Sequence, residues 1–300
     1  MKIFITGGSG FIGSHLVPKL LTRKHKLLLL SRKRSGRVGK SPSSIKGDLK
    51  NINGWKNKLK KFRPDAVIHL AWEGLENYDF SAGVSLGNMM NSLNLISVAA
   101  ELGCKKFLSV GSCWEYGDGK GSLKESASLL PPAHVLDFVI AKRTIQAMGE
   151  QIALQNKMQF LWPRLFFAYG PGQKSRTLIA HLVRSFGNGV MPEVKNKSGA
   201  NDFVYIDDVV EALVKILEKS KKPSVIYNVG SGRLTSVAEV VKEVYENLNL
   251  PAPKWSVKKV RSRGFYANIS KIKKELGWKP KTGISEGVKK TVEYFSKKQI

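Results

Sequence analysis

The chain has 300 residues, 42% of them hydrophobic, which suits one large domain or two lobes sharing a core. Its apolar runs are far shorter than the roughly 18 residues a membrane helix needs. The glycine-rich start lacks the apolar stretch of a secretory signal, and two cysteines, Cys104 and Cys113, allow no disulfide framework. A cytoplasmic protein with no membrane partner and no metal site is expected.

Lys and Arg number 50 against 23 Asp and Glu, a net charge of +27. The basic runs at 23–26, 31–40, 56–61, 219–222 and 258–263 are scattered, with no aromatic residues interleaved as a base-stacking platform requires. That argues against nucleic acid as the main partner and leaves solvated surface charge or attraction of small anions such as nucleotides.

The predicted elements run in chain order. KIFIT (2–6) reads as a buried strand, GGSG follows, and FIGSHLVPKLLTR continues as a helix. KLLLLSR (26–32), DAVIHLAW (65–72), KKFLSVGSC (105–113), MQFLWPRLFFAYG (158–170) and SVIYNVG (224–230) read as further strands, with helices over 85–103 and 138–156. Continuous rather than alternating apolar strands imply burial on both faces, and strands alternating with helices imply a parallel, doubly wound α/β sheet. Beyond about residue 170 the pattern turns irregular until helices at 236–248, 270–276 and 285–295. The expected organisation is a dinucleotide-binding Rossmann lobe over 1–170, joined by late strands from about 202–230, and a smaller interleaved C-terminal substrate lobe over 171–300.

Gly7, Gly10 and Gly13 stand between the first strand and the first helix. Glycines there permit a tight turn and close approach of a pyrophosphate, and the helix N-terminus offers amide donors and the positive end of its dipole. Phe11 and Ile12 open that helix. The second strand ends in Ser31 and Arg32, with no acid before Asp48. A carboxylate at a strand end suits the ribose of NAD and an arginine suits a 2′-phosphate, so NADP(H) is expected, with NAD(H) as the alternative.

The chain resembles the extended short-chain dehydrogenase/reductase family, the nucleotide-sugar epimerases, dehydratases and 4-ketoreductases. The likeness rests on TGGSGFIG, GDL (47–49), HLAW (69–72), GSCWEYG (111–117), AYGPG (168–172), DFVYIDDV (202–209), YNVGSG (227–232) and ELGWKPKTGISEGV (275–288). It implies a nucleotide-sugar substrate and a homodimer formed through the helices over 85–103 and 138–156. It sets Asp48 and Leu49 near the adenine, passes His69, Leu70 and Ala71 under the cofactor, and makes Asn88 structural.

The resemblance also implies a hydroxyl residue that orients the sugar oxygen, matched by Ser112, and a Tyr-x-x-x-Lys pair, matched by Phe138 and Lys142. A sugar carbonyl that accepts hydride becomes an alkoxide and needs a proton donor within reach. A lysine ammonium one helical turn from a phenol would lower the phenol's pKa. Here the ring is present and the phenol oxygen is not. A deliberate exchange of tyrosine that traps a complex would account for this. So would another acid (Tyr116, His134, Asp137 or water held by Ser112), loss of catalysis with binding retained, or plain core packing.

Relatives carry arginine where Asn201 stands and asparagine where Phe167 stands, so Arg176, Arg261 and Arg263 are candidate replacements for holding phosphate. Trp72, Cys113, Trp114, Phe166, Phe167, Arg176 and Arg263 form the expected substrate set, with loops near 74–87, 173–200 and 256–266 setting base and sugar. Dehydratases place an Asp-Glu pair after the hydroxyl residue, whereas Cys113, Trp114 and Glu115 supply one carboxylate. HLAW followed by GSCWEYG looks like the 4-keto-6-deoxysugar reductases, including CDP-abequose-type synthases. The leading expectation is NADPH-dependent reduction of a nucleotide-linked 4-keto-6-deoxyhexose in deoxysugar or polysaccharide biosynthesis. The alternatives are a nucleotide-sugar epimerase and a catalytically dead NADP(H)-binding regulator.

Overall fold

The computed structural model describes all residues except 33–41, 76, 131–133, 175, 193, 195–198, 252–263 and 298–300. Strands β1 (Lys2–Thr6), β2 (Lys26–Ser31), β3 (Ser43–Lys46), β4 (Ala66–His69), β5 (Lys106–Ser109) and β6 (Gly111–Ser112) contribute to an eight-stranded sheet. Its order is Ser224–Val229, Gln159–Leu165, β5, β4, β1, β2, β3, and β6 pairs with Gln159–Leu165 off that path. β1 runs parallel to both β2 and β4, with Ile3 opposite Leu27 and Ala66, and Phe107 of β5 sits opposite Val67 and Phe160. This is the doubly wound parallel α/β sheet that the continuous apolar strands predict. Phe4, Val67, Phe107, Phe160 and Trp162 build its core together with Leu95 and Ile96 of α3 (Ala82–Glu101) and Ile145 of α4 (Leu136–Gln155).

The chain divides into two compact units. The first comprises residues 1–118, 129–164 and 213–227, with α1 (Phe11–Thr22) and α2 (Asn53–Phe62) as well as α3 and α4. The second comprises residues 119–128, 165–212 and 228–300. In it the helices Leu178–Gly187, Val237–Asn247 and Ile284–Lys297 pack on one another. Phe203–Tyr205 pairs in parallel with Phe167–Tyr169, and Phe265–Ala267 with Gly121–Leu123. Buried Asp202 ties its loops, accepting hydrogen bonds from the amides of Ser231, Gly232 and Ala267.

Several predicted elements differ. Of the late strands expected over 202–230, only Ser224–Val229 joins the large sheet, because Phe203–Tyr205 takes its partner from the second unit. The strand predicted over 105–113 is interrupted at Val110, whose carbonyl accepts a hydrogen bond from the Lys142 ammonium at 2.9 Å. The run 158–170 divides after Leu165, where the Phe166 amide turns to Val229 and that of Phe167 to Asp202. The stretch after 170 is less irregular than its pattern suggests, since Leu178–Gly187 and Ile206–Lys219 are helices. Half of the loop expected at 74–87 is helical too, α3 beginning at Ala82.

Candidate functional site

The glycine turn follows β1. Gly7 has φ +73°, a left-handed conformation that a side chain rarely adopts, and a Cβ there would lie 2.6 Å from the Ala71 nitrogen. A Cβ at Gly13 would lie 2.2 Å from the Gly7 carbonyl oxygen. Gly10 N donates to Gly7 O at 3.0 Å and closes the turn. No acid stands in the first turn of α1 to neutralise its N-terminus, and Gly10 has no side chain to cap it. The turn therefore packs directly on the Leu70–Ala71 backbone with no room for a side chain, and the N-terminus of α1 above it stays uncapped, which fits a pyrophosphate.

At the end of β2, Ser31 is half-buried and its carbonyl accepts the Gly47 amide. Arg32 is exposed and lies 3.4 Å from Glu73 Oε1, while Lys50 reaches Glu73 Oε2 at 3.0 Å. The Asp48 carboxylate caps the turn over Leu49–Asn51 by accepting the Lys50 amide at 2.8 Å. Leu49 packs against the core.

Ser112, Phe138 and Lys142 all belong to the first unit. Ser112 is half-buried, and its Oγ accepts the Trp114 amide at 3.2 Å. Lys142 lies one turn after Phe138 on α4, buried on the same face. Besides donating to Val110, its Nζ sits 3.8 Å from the centre of the Trp72 ring and 5.6 Å from that of Phe138. Burial lowers the Lys142 pKa to about 7, against a smaller opposing pull from Glu115. His69 bridges Thr6 Oγ1 and Ser92 Oγ inside the sheet, and burial lowers its pKa to about 3, so it stays neutral.

Phe138 is the hub of four aromatic rings. Its ring centre lies 5.2 Å from that of Trp72, 5.1 Å from Phe80 and 5.7 Å from Trp114, all near edge-on. With 4% of its surface exposed, it packs as a core residue whatever else it does. Trp72 Nε1 is buried without a hydrogen-bond partner. Phe80, absent from the sequence-based site, joins this cluster from just after the turn that the Asn77 and Asp79 amides close on the Gly74 carbonyl.

Of the alternative acids, Tyr116 is fully buried and stacks under the Arg164 guanidinium, 4.7 Å from its ring centre. His134 and Asp137 are exposed. Glu115, the single carboxylate after the hydroxyl residue, is fully buried and ion-paired with Arg164 at 2.8 Å. Cys113 is buried, and Trp114 is half-buried in the ring cluster.

In the second unit Phe166 is buried against Phe265, Phe167 meets Phe203 at 6.1 Å, and Arg176 is exposed just before the helix Leu178–Gly187. Arg261 and Arg263 lie outside the described residues. Among the described residues no cluster of three metal-ligating side chains occurs, and no helix is long and apolar enough to cross a membrane.

A parallel α/β sheet with a glycine cradle at the end of its first strand defines a dinucleotide-binding protein. The model of the NAD dependent epimerase/dehydratase family matches residues 3–230, and the chain belongs to that family, within the extended short-chain dehydrogenases/reductases. It is 27% identical over 320 residues to a UDP-glucose 4-epimerase of Vibrio cholerae, with 98% of this chain and 95% of that protein covered. Among solved structures, MoeE5 in complex with UDP-glucose and NAD superposes with a TM-score of 0.86 at 26% identity, covering 99% of both chains. The UDP-glucose 4-epimerase of Thermotoga maritima with UDP-glucose gives 0.82 at 26%, again over 99% of both.

Proposed function

We propose that this protein is an NADPH-dependent reductase of a nucleotide-linked 4-keto-6-deoxyhexose, working with Ser112 and Lys142 and without the phenol that Phe138 would carry as tyrosine. The observation that carries the reading is the Lys142 ammonium, buried against Val110 two residues before Ser112. A buried amine is costly, and a role in structure alone would be met by an apolar side chain.

The family's nicotinamide supplies hydride when bound. Gly7, Gly10, Gly13, Leu70 and Ala71 would hold its pyrophosphate side, together with the start of the helix that Phe11 and Ile12 open. Ser112 Oγ orients the sugar carbonyl. Lys142 favours the alkoxide as it forms and binds the ribose. Reduction tolerates the missing phenol better than epimerisation does. An alkoxide takes a proton from water readily, whereas oxidising a sugar hydroxyl requires a base to remove its proton, and Phe138 offers none. The rings of Trp72, Phe80 and Trp114 beside Phe138 suit a sugar with few hydroxyl groups.

Two cations, Arg32 and Lys50, share the single Glu73 carboxylate at the end of β2, leaving a net positive charge that favours a 2′-phosphate and thus NADP(H) within an NAD-dependent family. In the second unit, Phe166, Phe167 and Arg176 are assigned to the nucleotide-sugar, as is Arg263 outside the described residues. The apolar side chains Leu86 and Met90 of α3 and Leu136, Ile140 and Met148 of α4 are exposed and supply a surface for a second copy of the chain.

Epimerisation is the second reading, favoured by the names of the Vibrio and Thermotoga relatives. The test mixes the native protein and its Phe138→Tyr variant with NADPH and CDP-, dTDP-, UDP- and GDP-linked 4-keto-6-deoxysugars. We expect loss of nicotinamide absorbance, faster by about 10²–10⁴-fold in the tyrosine variant. No loss in either protein, with NADPH bound, would overturn the reductase reading, and sugar isomerisation would then separate the epimerase from a binding-only protein.

A further inference from the structure

Glu115 lies three residues after Ser112 on a short turn over Cys113–Tyr116, fully enclosed by protein. Its Oε1 accepts the Ser112 amide at 2.7 Å and Trp162 Nε1 at 3.2 Å, and its Oε2 accepts Arg164 Nε at 2.8 Å. The serine side chain reciprocates within the same turn, so both the amide and the hydroxyl of Ser112 are held. Gly111 admits this packing: a Cβ there would lie 2.3 Å from both Glu115 Oε1 and Trp162 Nε1.

The same residue reaches the helix that carries Lys142. Arg143, next along α4, donates from Nε to the Glu115 carbonyl at 3.0 Å and from Nη2 to the same oxygen. Buried ion pairs are weak contributors to stability, since desolvation offsets most of the attraction. Stability alone is therefore a poor reason to enclose a carboxylate and a guanidinium here.

We propose that Glu115 is a positioning residue, which pins the Ser112 turn with its carboxylate and the Lys142 helix with its carbonyl so that the two working groups keep one mutual geometry. This rests on reading Ser112 and Lys142 as the working pair. The charged and titratable groups about Lys142 are Glu115 from the turn, His69 from β4 and Arg143 beside it on α4, with Arg164 behind Glu115. His69 is neutral, so the Glu115 carboxylate is the group that favours the ammonium.

The test uses the full chain labelled with ¹³Cε-lysine. The Lys142 resonance is identified by its absence in Lys142→Met, and its titration is followed by NMR in native protein and in Glu115→Gln. Because Glu115→Gln leaves Arg164 buried and unpaired, Glu115→Gln combined with Arg164→Met is measured beside it. Glu115→Gln is read against native protein and the double variant against Arg164→Met, and in whichever keeps the native circular dichroism the Lys142 midpoint should fall by about half a pH unit or more. Its turnover of NADPH should drop at least about 10-fold with dinucleotide affinity unchanged. A midpoint that stays at the native value in a folded variant overturns the proposal, as does unchanged turnover. If no protein turns over, the reductase reading fails by itself and the midpoint still decides the role of Glu115.

Discussion

Replacing Lys142 by methionine should make the protein more stable relative to native at low pH than at high pH. In the unfolded chain the amine titrates at its ordinary value of 10.5, and in the folded protein burial lowers this to about 7. Between those values the unfolded chain binds a proton that the folded chain does not, so native stability rises with pH across this window. Below pH 7 both states are protonated and the folded protein carries the whole cost of burying an ammonium. The gap from 10.5 to about 7, at about 1.4 kcal/mol per pH unit, comes to about 5 kcal/mol, and to about 3 kcal/mol if the amine titrates one unit higher. Methionine keeps the stem's packing and forfeits the hydrogen bond to Val110, a loss of about 1–3 kcal/mol that shifts the whole curve without bending it. The assay is urea unfolding of both proteins from pH 6 to 10.5. The stability of Lys142→Met minus that of native should decline steadily above pH 7, while other groups such as the buried Cys104 cancel in the difference. A difference flat to within about 1 kcal/mol would refute the reasoning, because the ammonium would then be solvated in the folded state.

Further outcomes concern the cofactor and the exposed helices. Gly13→Ala should lower dinucleotide affinity by at least about 100-fold in a folded protein, since its Cβ would meet the Gly7 oxygen at 2.2 Å and displace the cradle; native affinity by calorimetry would remove the turn from the site. Arg32→Ala should weaken NADPH by about 10-fold and leave NADH unchanged in a fluorescence titration, and equal losses for both would assign Arg32 to ordinary surface charge. Ile140→Asp should convert a dimer to monomer in sedimentation at unchanged circular dichroism, and an unaltered mass would place any association elsewhere.

What the sequence determined by itself was the frame. Buried-strand apolar runs prescribe a parallel sheet because both faces are covered by helices; β1 and β2 follow them closely, and β4 and β5 begin within them and end earlier. The glycine spacing prescribes the cradle because Gly7 and Gly13 have no room for a Cβ. The four-residue step from Phe138 to Lys142 puts both on one helical face, whatever their chemistry. Short amphipathic helices such as Leu178–Gly187 stayed illegible, since a ten-residue helix owes its stability mainly to the face it buries. The tertiary structure alone decided which polar groups are enclosed. Glu115 reads in the sequence only as the one carboxylate after Ser112, whereas Trp162 and Arg164, nearly fifty residues away, enclose it and commit its charge. Lys142 reads in the sequence as the lysine of a Tyr-x-x-x-Lys pair, but its desolvation comes only from Trp72, which covers it, and from the enclosed Val110 carbonyl that accepts its hydrogen bond. Local pattern fixes which side chains share a face, whereas desolvation depends on what distant segments bring against them, and that sets the chemistry of this site.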